Sequence, residues 1–182
     1  TGTFTPAQSL GPVIRAVAKA RAAGADRLHL LLVGDGMSRA GLETLVQELN
    51  AGDYVTFYGS VPAREVPRFT TLADALLISL SDTPDLGLTV PAKLASYMAA
   101  GKPVVASMDG AGADAVRAAG CGMVSPACDA DALADNLVQL CRMSPDRRAE
   151  LGRCAKVYYL ENYRRSLLLK KLEAFLLPDG RG

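Results

Sequence analysis

The sequence contains no tryptophan and a single histidine, His29. Four phenylalanines and six tyrosines make up its aromatic content, too few for a surface on which nucleic-acid bases stack. Neither charge sign is in excess: 20 Lys and Arg stand against 19 Asp and Glu, a formal net charge of +1. There is thus no general positive field to attract a phosphate polymer or an anionic membrane. No uninterrupted apolar run reaches the roughly 18 residues of a membrane-spanning helix, and no signal peptide opens the chain. The four cysteines, Cys121, Cys128, Cys141 and Cys154, form no C-x-x-C pair and lie far from His29. That pattern sets zinc and redox motifs aside and predicts reduced thiols in a cytoplasmic protein.

Reaction motifs are missing too. Without G-x-S-x-G or H-E-x-x-H, the hydrolase readings lack their nucleophile or their metal. "VGDGMSRAG" has glycines at 34, 36 and 41, which is not the G-x-G-x-x-G spacing of a nicotinamide or flavin enzyme. His29 lies between leucines in an expected strand and reads as structural rather than as a base.

What is present is a regular alternation. Hydrophobic residues make up 49% and charged residues 21% of the 182-residue chain, enough for one domain with a substantial core. Strands are expected at 27–36, 54–61, 75–81, 103–107 and 121–125. Helices are expected at 11–24, at 39–50, where Leu42, Leu45, Val46 and Leu49 share one face, at 63–73 with an interruption at Pro67, at 91–100 and near 111–119. From residue 129 onward the pattern is helical, broken near "MSPD" and "ENY". Buried strands each followed by a helix predict a Rossmann-like α/β domain, a parallel sheet with helices on both faces, over 1–178, with a frayed tail at 179–182. The opening "TGTF" has no methionine and enters at once what reads as a strand end, as expected of a piece of a longer protein.

Open parallel sheets bind ligands at the carboxyl ends of their strands, and small-residue turns gather there. They are "TGTFTPAQSLG", "VGDG", "YGSVP", "SDTPDLGLTVPAK" and "SMDGAG". In the stretch "TVPAKLASYMAAGKPVVAS", Pro91 suits the first turn of a helix, and Gly101 and Pro103 end it. Lys93 would stand in that first turn, against the helix dipole unless an anion is bound. With the N–H groups near Ala92 and Lys93 it could hold a diphosphate. The residues alone leave this reading and a solvent-facing lysine both open.

The chain resembles the C-terminal, nucleotide-sugar-binding half of a GT-B glycosyltransferase of family 4. The closest likeness is to the bacterial branch that builds surface polysaccharides and includes N-acetyl-fucosaminyltransferases. Seven segments match in order: "TGTFTPAQSLGPVIRAV", "LLLVGDG", "VTFYGSVPAREVP", "ADALLISL", "VPAKLASYMAAGKPVVAS", "AAGCGMV" and "DADALADNL".

The resemblance implies a donor, a UDP-sugar or another nucleotide sugar, at the carboxyl edge of the sheet. Tyr58, Gly59 and Val61 would hold the base. Gly2 and Thr3, with Val90, Pro91, Ala92 and Lys93 at the helix start, would surround the diphosphate, Gly34 would belong to the same donor site, and Ser96 would lie near the ribose. It further implies a retaining transfer that needs no metal or other cofactor, a glycan or lipid-linked acceptor, and a missing N-terminal domain of the same protein. The intact enzyme would be cytoplasmic, on the inner face of the cytoplasmic membrane, with no membrane span and no nucleic-acid partner. Two departures stand out. Thr3 and Gln8 occupy positions where many members carry Arg and Lys, and Leu88 and Ser96 occupy those of paired glutamates. A nucleotide-sugar 2-epimerase of the same fold and a non-catalytic binding module remain as alternatives.

Overall fold

The computed structural model describes residues 1–176. The expected tail at 179–182, and the end of the domain at 178, lie outside the described residues. In chain order the elements are β1 (Gly2–Thr3), α1 (Leu10–Ala22), β2 (Leu30–Asp35), α2 (Arg39–Glu48), β3 (Val55–Gly59), α3 (Val66–Leu72), β4 (Leu76–Ser79), α4 (Pro84–Gly87) and α5 (Ala92–Ala99). They continue with β5 (Val104–Ser107), α6 (Gly110–Ala119), β6 (Gly122–Ser125), α7 (Ala130–Arg142), α8 (Pro145–Asn162) and α9 (Arg165–Leu176).

All strand pairs are parallel, as the unbroken apolar runs predict, but the strands form two sheets: β1-β2-β3 and β4-β5-β6. The reason lies in β1, which is two residues long and covers only Gly34 and Asp35 of β2. No strand among the described residues bridges β2 and β4.

Strand β5 shows that helices cover both faces. Val105 belongs to a core built with Val13, Ile14 and Val17 of α1 and Leu133 and Leu137 of α7. Its neighbours Val104 and Ala106 face the opposite way, into a core with Leu94, Tyr97 and Met98 of α5 and Val116 of α6. Burying such a side chain contributes about 1.5–3 kcal/mol, so these two cores supply much of the driving force for folding.

Local chemistry sets the ends of the elements. Asp129 caps α7 by accepting from the N–H groups of Asp131 and Ala132 at 3.0 and 2.9 Å, and Ser144 caps α8 by accepting from Arg147 N–H at 3.2 Å. Gly101, with φ +68°, follows α5 as expected. Three readings need correcting. Pro67 does not interrupt its helix but stands in the first turn of α3, after a 3-10 turn over Ala63–Glu65, where a missing N–H costs nothing. The segment "SDTPDLGLTVPAK", read as a turn, contains the short helix α4. The strand expected from residue 27 begins only at Leu30, so the exposed His29 lies just ahead of β2, where its Nε2 is 2.9 Å from Thr56 Oγ1.

Candidate functional site

Three strands end side by side at their carboxyl edge. Gly2 of β1 is in register with Gly34 of β2, and Val33 of β2 with Gly59 of β3. All three glycines have positive φ, +131°, +141° and +93°. At Gly34 the requirement is absolute, since a Cβ there would lie 1.8 Å from the carbonyl oxygen of Gly2. The edge therefore presents bare backbone, and Thr3 beside it is exposed.

Helix α5 begins over this edge. Pro91 proves to be the N-cap rather than the first helical residue, with extended angles of φ −61° and ψ 130°. It has no side chain that could cap the helix, and the N–H groups of Ala92 and Lys93 in the first turn have no side-chain acceptor. Lys93 is the second helical residue. Its half-buried ammonium reaches back to the first loop and donates to Gln8 Oε1 at 2.9 Å. Among the described residues no carboxylate lies within ion-pairing distance of it. Burial lowers the pKa of this amine. A cation with no counter-ion, above uncapped helical N–H groups, is a receptor for an anion.

Below Lys93, the Thr1 amine donates to Tyr97 Oη at 3.0 Å. Burial, and then the charge of Lys93, lower the pKa of that amine from 8.0 to about 6. Burial raises that of the Tyr97 phenol. Behind the lysine, Ser81 N–H donates to Ala7 O at 2.9 Å and Ser79 Oγ to Gln8 O at 2.5 Å, which ties the loop after β4 to the loop after β1.

The structure brings together Gly2, Thr3, Gly34 and Lys93, with Gly59 one strand further along. Val90 and Ala92 are exposed on either side of Pro91, and Ser96 is exposed one turn after Ala92. Tyr58 is 58% exposed, its ring set edge-on against Phe69 with centroids 4.7 Å apart, and Val61 follows on the loop after β3. Lys93 is hydrogen-bonded to Gln8 and the Tyr58 ring packs on Phe69, so neither residue is bonded to the other. Sequence reasoning identified Gln8 as a departure but missed it as the partner of Lys93. Tyr97 read only as helix interior. Leu88, 84% exposed, and Ser96 offer no carboxylate. Among the described residues no three His, Cys, Asp or Glu side chains gather as a metal site, and no helix is long and apolar enough to cross a membrane.

The family model described as glycosyl transferases group 1 matches residues 1–143. The chain is 29% identical over 157 residues to a GDP-mannose-dependent alpha-(1-6)-phosphatidylinositol monomannoside mannosyltransferase of Mycobacterium tuberculosis, covering 85% of this chain and 40% of the relative. It is 27% identical over 175 residues to the putative colanic acid biosynthesis glycosyltransferase WcaL of Salmonella typhimurium, covering 95% and 43%. The chain thus spans about two fifths of the curated relatives it matches. Anabaena HepE in complex with UDP superposes with a TM-score of 0.81 at 18% identity, over 96% of this chain and 47% of that one. WaaG, a glycosyltransferase involved in lipopolysaccharide biosynthesis, superposes with a TM-score of 0.72 at 21% identity, over 94% and 45%. At these identities the solved structures bear on the fold, which is that of GT-B glycosyltransferases. With the family model matched over more than half its length, the chain belongs to the glycosyl transferases of group 1.

Proposed function

We propose that this chain is the donor-binding half of a retaining glycosyltransferase that moves a sugar from a nucleotide sugar to a glycan or lipid-linked acceptor. The observation that carries the reading is Lys93: a half-buried ammonium with no carboxylate beside it, over the uncapped start of α5 and the glycine-lined strand edge. A diphosphate would accept from the Lys93 ammonium and from the N–H groups of Ala92 and Lys93. The exposed backbone at Gly2, packed closely on the buried Gly34, lets it approach closely. Tyr58, Gly59 and Val61 lie further along the same edge, where the base would extend, and Ser96 offers one hydroxyl to the ribose.

The acceptor and the catalytic groups would come from a second domain of the same protein across a cleft, with the intact enzyme cytoplasmic and peripheral to the membrane. The mannosyltransferase relatives are described as GDP-mannose dependent, whereas HepE was solved with UDP. The motif string resembles N-acetyl-fucosaminyltransferases. We favour a uridine donor.

Calorimetric titration with UDP and then GDP, without added metal, tests the donor site. Saturable binding of one nucleotide, weakened at least several-fold in Lys93→Ala, is the expected result. If neither binds to the full-length protein at millimolar concentration, the chain is a degenerate module and the reading fails. The anomeric configuration of the product, read by NMR with the full-length protein, tests retention and separates transfer from epimerisation.

A further inference from the structure

Helix α9 is set apart from the rest of the fold. It follows α8 after a break at Tyr163 and Arg164, and none of its residues belongs to either core. Leu167 alone is half-buried; every other residue from Arg165 to Leu176 is exposed. The exposed residues include Leu168, Leu169, Leu172, Phe175 and Leu176, of which Phe175 is 80% exposed. At about 3.6 residues per turn these five fall within a third of the helix circumference. Leu167 stands about 140° from the middle of that stripe, so the stripe faces away from the one side of the helix that the fold covers. A contiguous apolar stripe of this kind marks a contact surface.

Charge says what the stripe meets. The chain as a whole is close to neutral, but this helix is not: Arg164, Arg165, Lys170 and Lys171 stand against Glu173 alone. All five are exposed, and among the described residues none of them forms an ion pair. An apolar stripe edged by basic side chains fits a surface that is apolar within and anionic at its boundary, which is a bilayer leaflet containing acidic phospholipids. The leucines and Phe175 would enter the acyl boundary. The long Lys and Arg stems would keep their charged ends at the level of the phosphates. A second copy of the chain fits less well. Pairing two stripes would bring the four cations of one helix beside the four of the other. Five side chains on a twelve-residue helix also fall short of the about 1,200 Å² that a stable interface buries.

We propose that α9 docks this protein on an anionic membrane surface, lying in the plane of the interface with Leu168, Leu172 and Phe175 buried in it. The proposal rests on the reading of the intact enzyme as peripheral to the membrane, and it names the surface that makes the contact. A docked enzyme meets its acceptor at the bilayer, which favours the lipid-linked acceptor over a soluble glycan.

The chain has no tryptophan, so Phe175→Trp places a single reporter in the stripe. Its emission should shift to the blue on addition of phosphatidylglycerol vesicles, not with phosphatidylcholine vesicles, and the shift should be reversed by high salt. In sedimentation with phosphatidylglycerol vesicles, binding of the 182-residue chain should weaken by about tenfold or more in Leu172→Ala/Phe175→Ala and in Lys170→Glu/Lys171→Glu. All four residues are exposed, and alanine keeps the helix, so the melting temperature should not change. If the chain binds and the variants bind as tightly, the contact lies elsewhere: the proposal fails and the peripheral reading stands. If the chain binds neither vesicle, the proposal fails, and sedimentation of the full-length protein then reports separately on the peripheral reading. Emission already shifted without lipid and unmoved by vesicles overturns the proposal too. The stripe is then covered by a second copy if the shift depends on protein concentration, and by another part of the chain if it does not.

Discussion

A methyl group placed on Gly2 would stand 2.9 Å from the ammonium nitrogen of Lys93 and 3.3 Å from its Cε. The first residue of the first strand thus shapes the position of a lysine some 90 residues away. Gly2→Ala would push that flexible side chain off its place over the edge, and at φ +131° the new residue would itself be strained. Nucleotide affinity is expected to fall about tenfold in Gly2→Ala, measured by calorimetry. The backbone strain at φ +131° should also lower the melting temperature by a few degrees.

Among the described residues Gln8 is the one hydrogen-bond partner of the Lys93 ammonium. Replacing its amide with a carboxylate, Gln8→Glu, would supply the counter-ion that the site lacks. The lysine would then be paired before any diphosphate arrived, and its pKa would rise. Nucleotide binding should weaken by at least tenfold, with no loss of thermal stability. Unchanged affinity in the calorimeter would mean that Lys93 does not face the diphosphate.

Two glycines separate folding from binding. A Cβ at Gly34 would lie 1.8 Å from Gly2 O, and one at Gly152 would lie 2.2 Å from Gly101 O, where α8 packs on the end of α5. Both alanine variants should lose stability, by about 2–4 kcal/mol in denaturant unfolding. Only Gly34→Ala should also lose nucleotide affinity beyond what unfolding accounts for, because only it displaces the β1 edge.

The Thr1 amine gives the 182-residue chain a specific pH dependence. Its pKa in the fold is about 6, below the 8.0 of an unhindered α-amine, so between these values the unfolded chain holds more protons. Stability should therefore rise from pH 6 to pH 8 and gain nothing further from this group above that. The difference is on the order of 2 kcal/mol. Urea unfolding of the 182-residue chain across this range checks it.

Much of the fold was legible because each buried strand is a short apolar run and each helix carries its apolar residues at i, i+3, i+4. Leu42, Leu45 and Val46 face the core as their spacing requires. The division into two sheets was not legible, since strand pairing is a long-range property that no local pattern of β2 or β4 records. Pro67 misled because proline in a helical run reads as a break, whereas a preceding 3-10 turn moved the helix start to meet it. At the site, Lys93 could be found from its place after Pro91. Its bond to Gln8 joins residues 85 apart in the chain and needed the fold. Tyr97 was hidden for a similar reason: one side of its ring fills the core while its hydroxyl reaches the Thr1 amine.

Helix α5 uses its eight residues twice. Lys93 and the first-turn N–H groups look toward the strand edge, while Leu94, Tyr97 and Met98 are buried in the second core. Selection for a new donor that acts through this helix would be coupled at once to thermal tolerance, since tilting it to reshape the anion seat would open the core beneath. The segment at 82–90 is under no such constraint: most of its residues are exposed and none belongs to either core. Donor preference can therefore drift there, between closely related proteins and in laboratory evolution alike, while α5 stays nearly fixed.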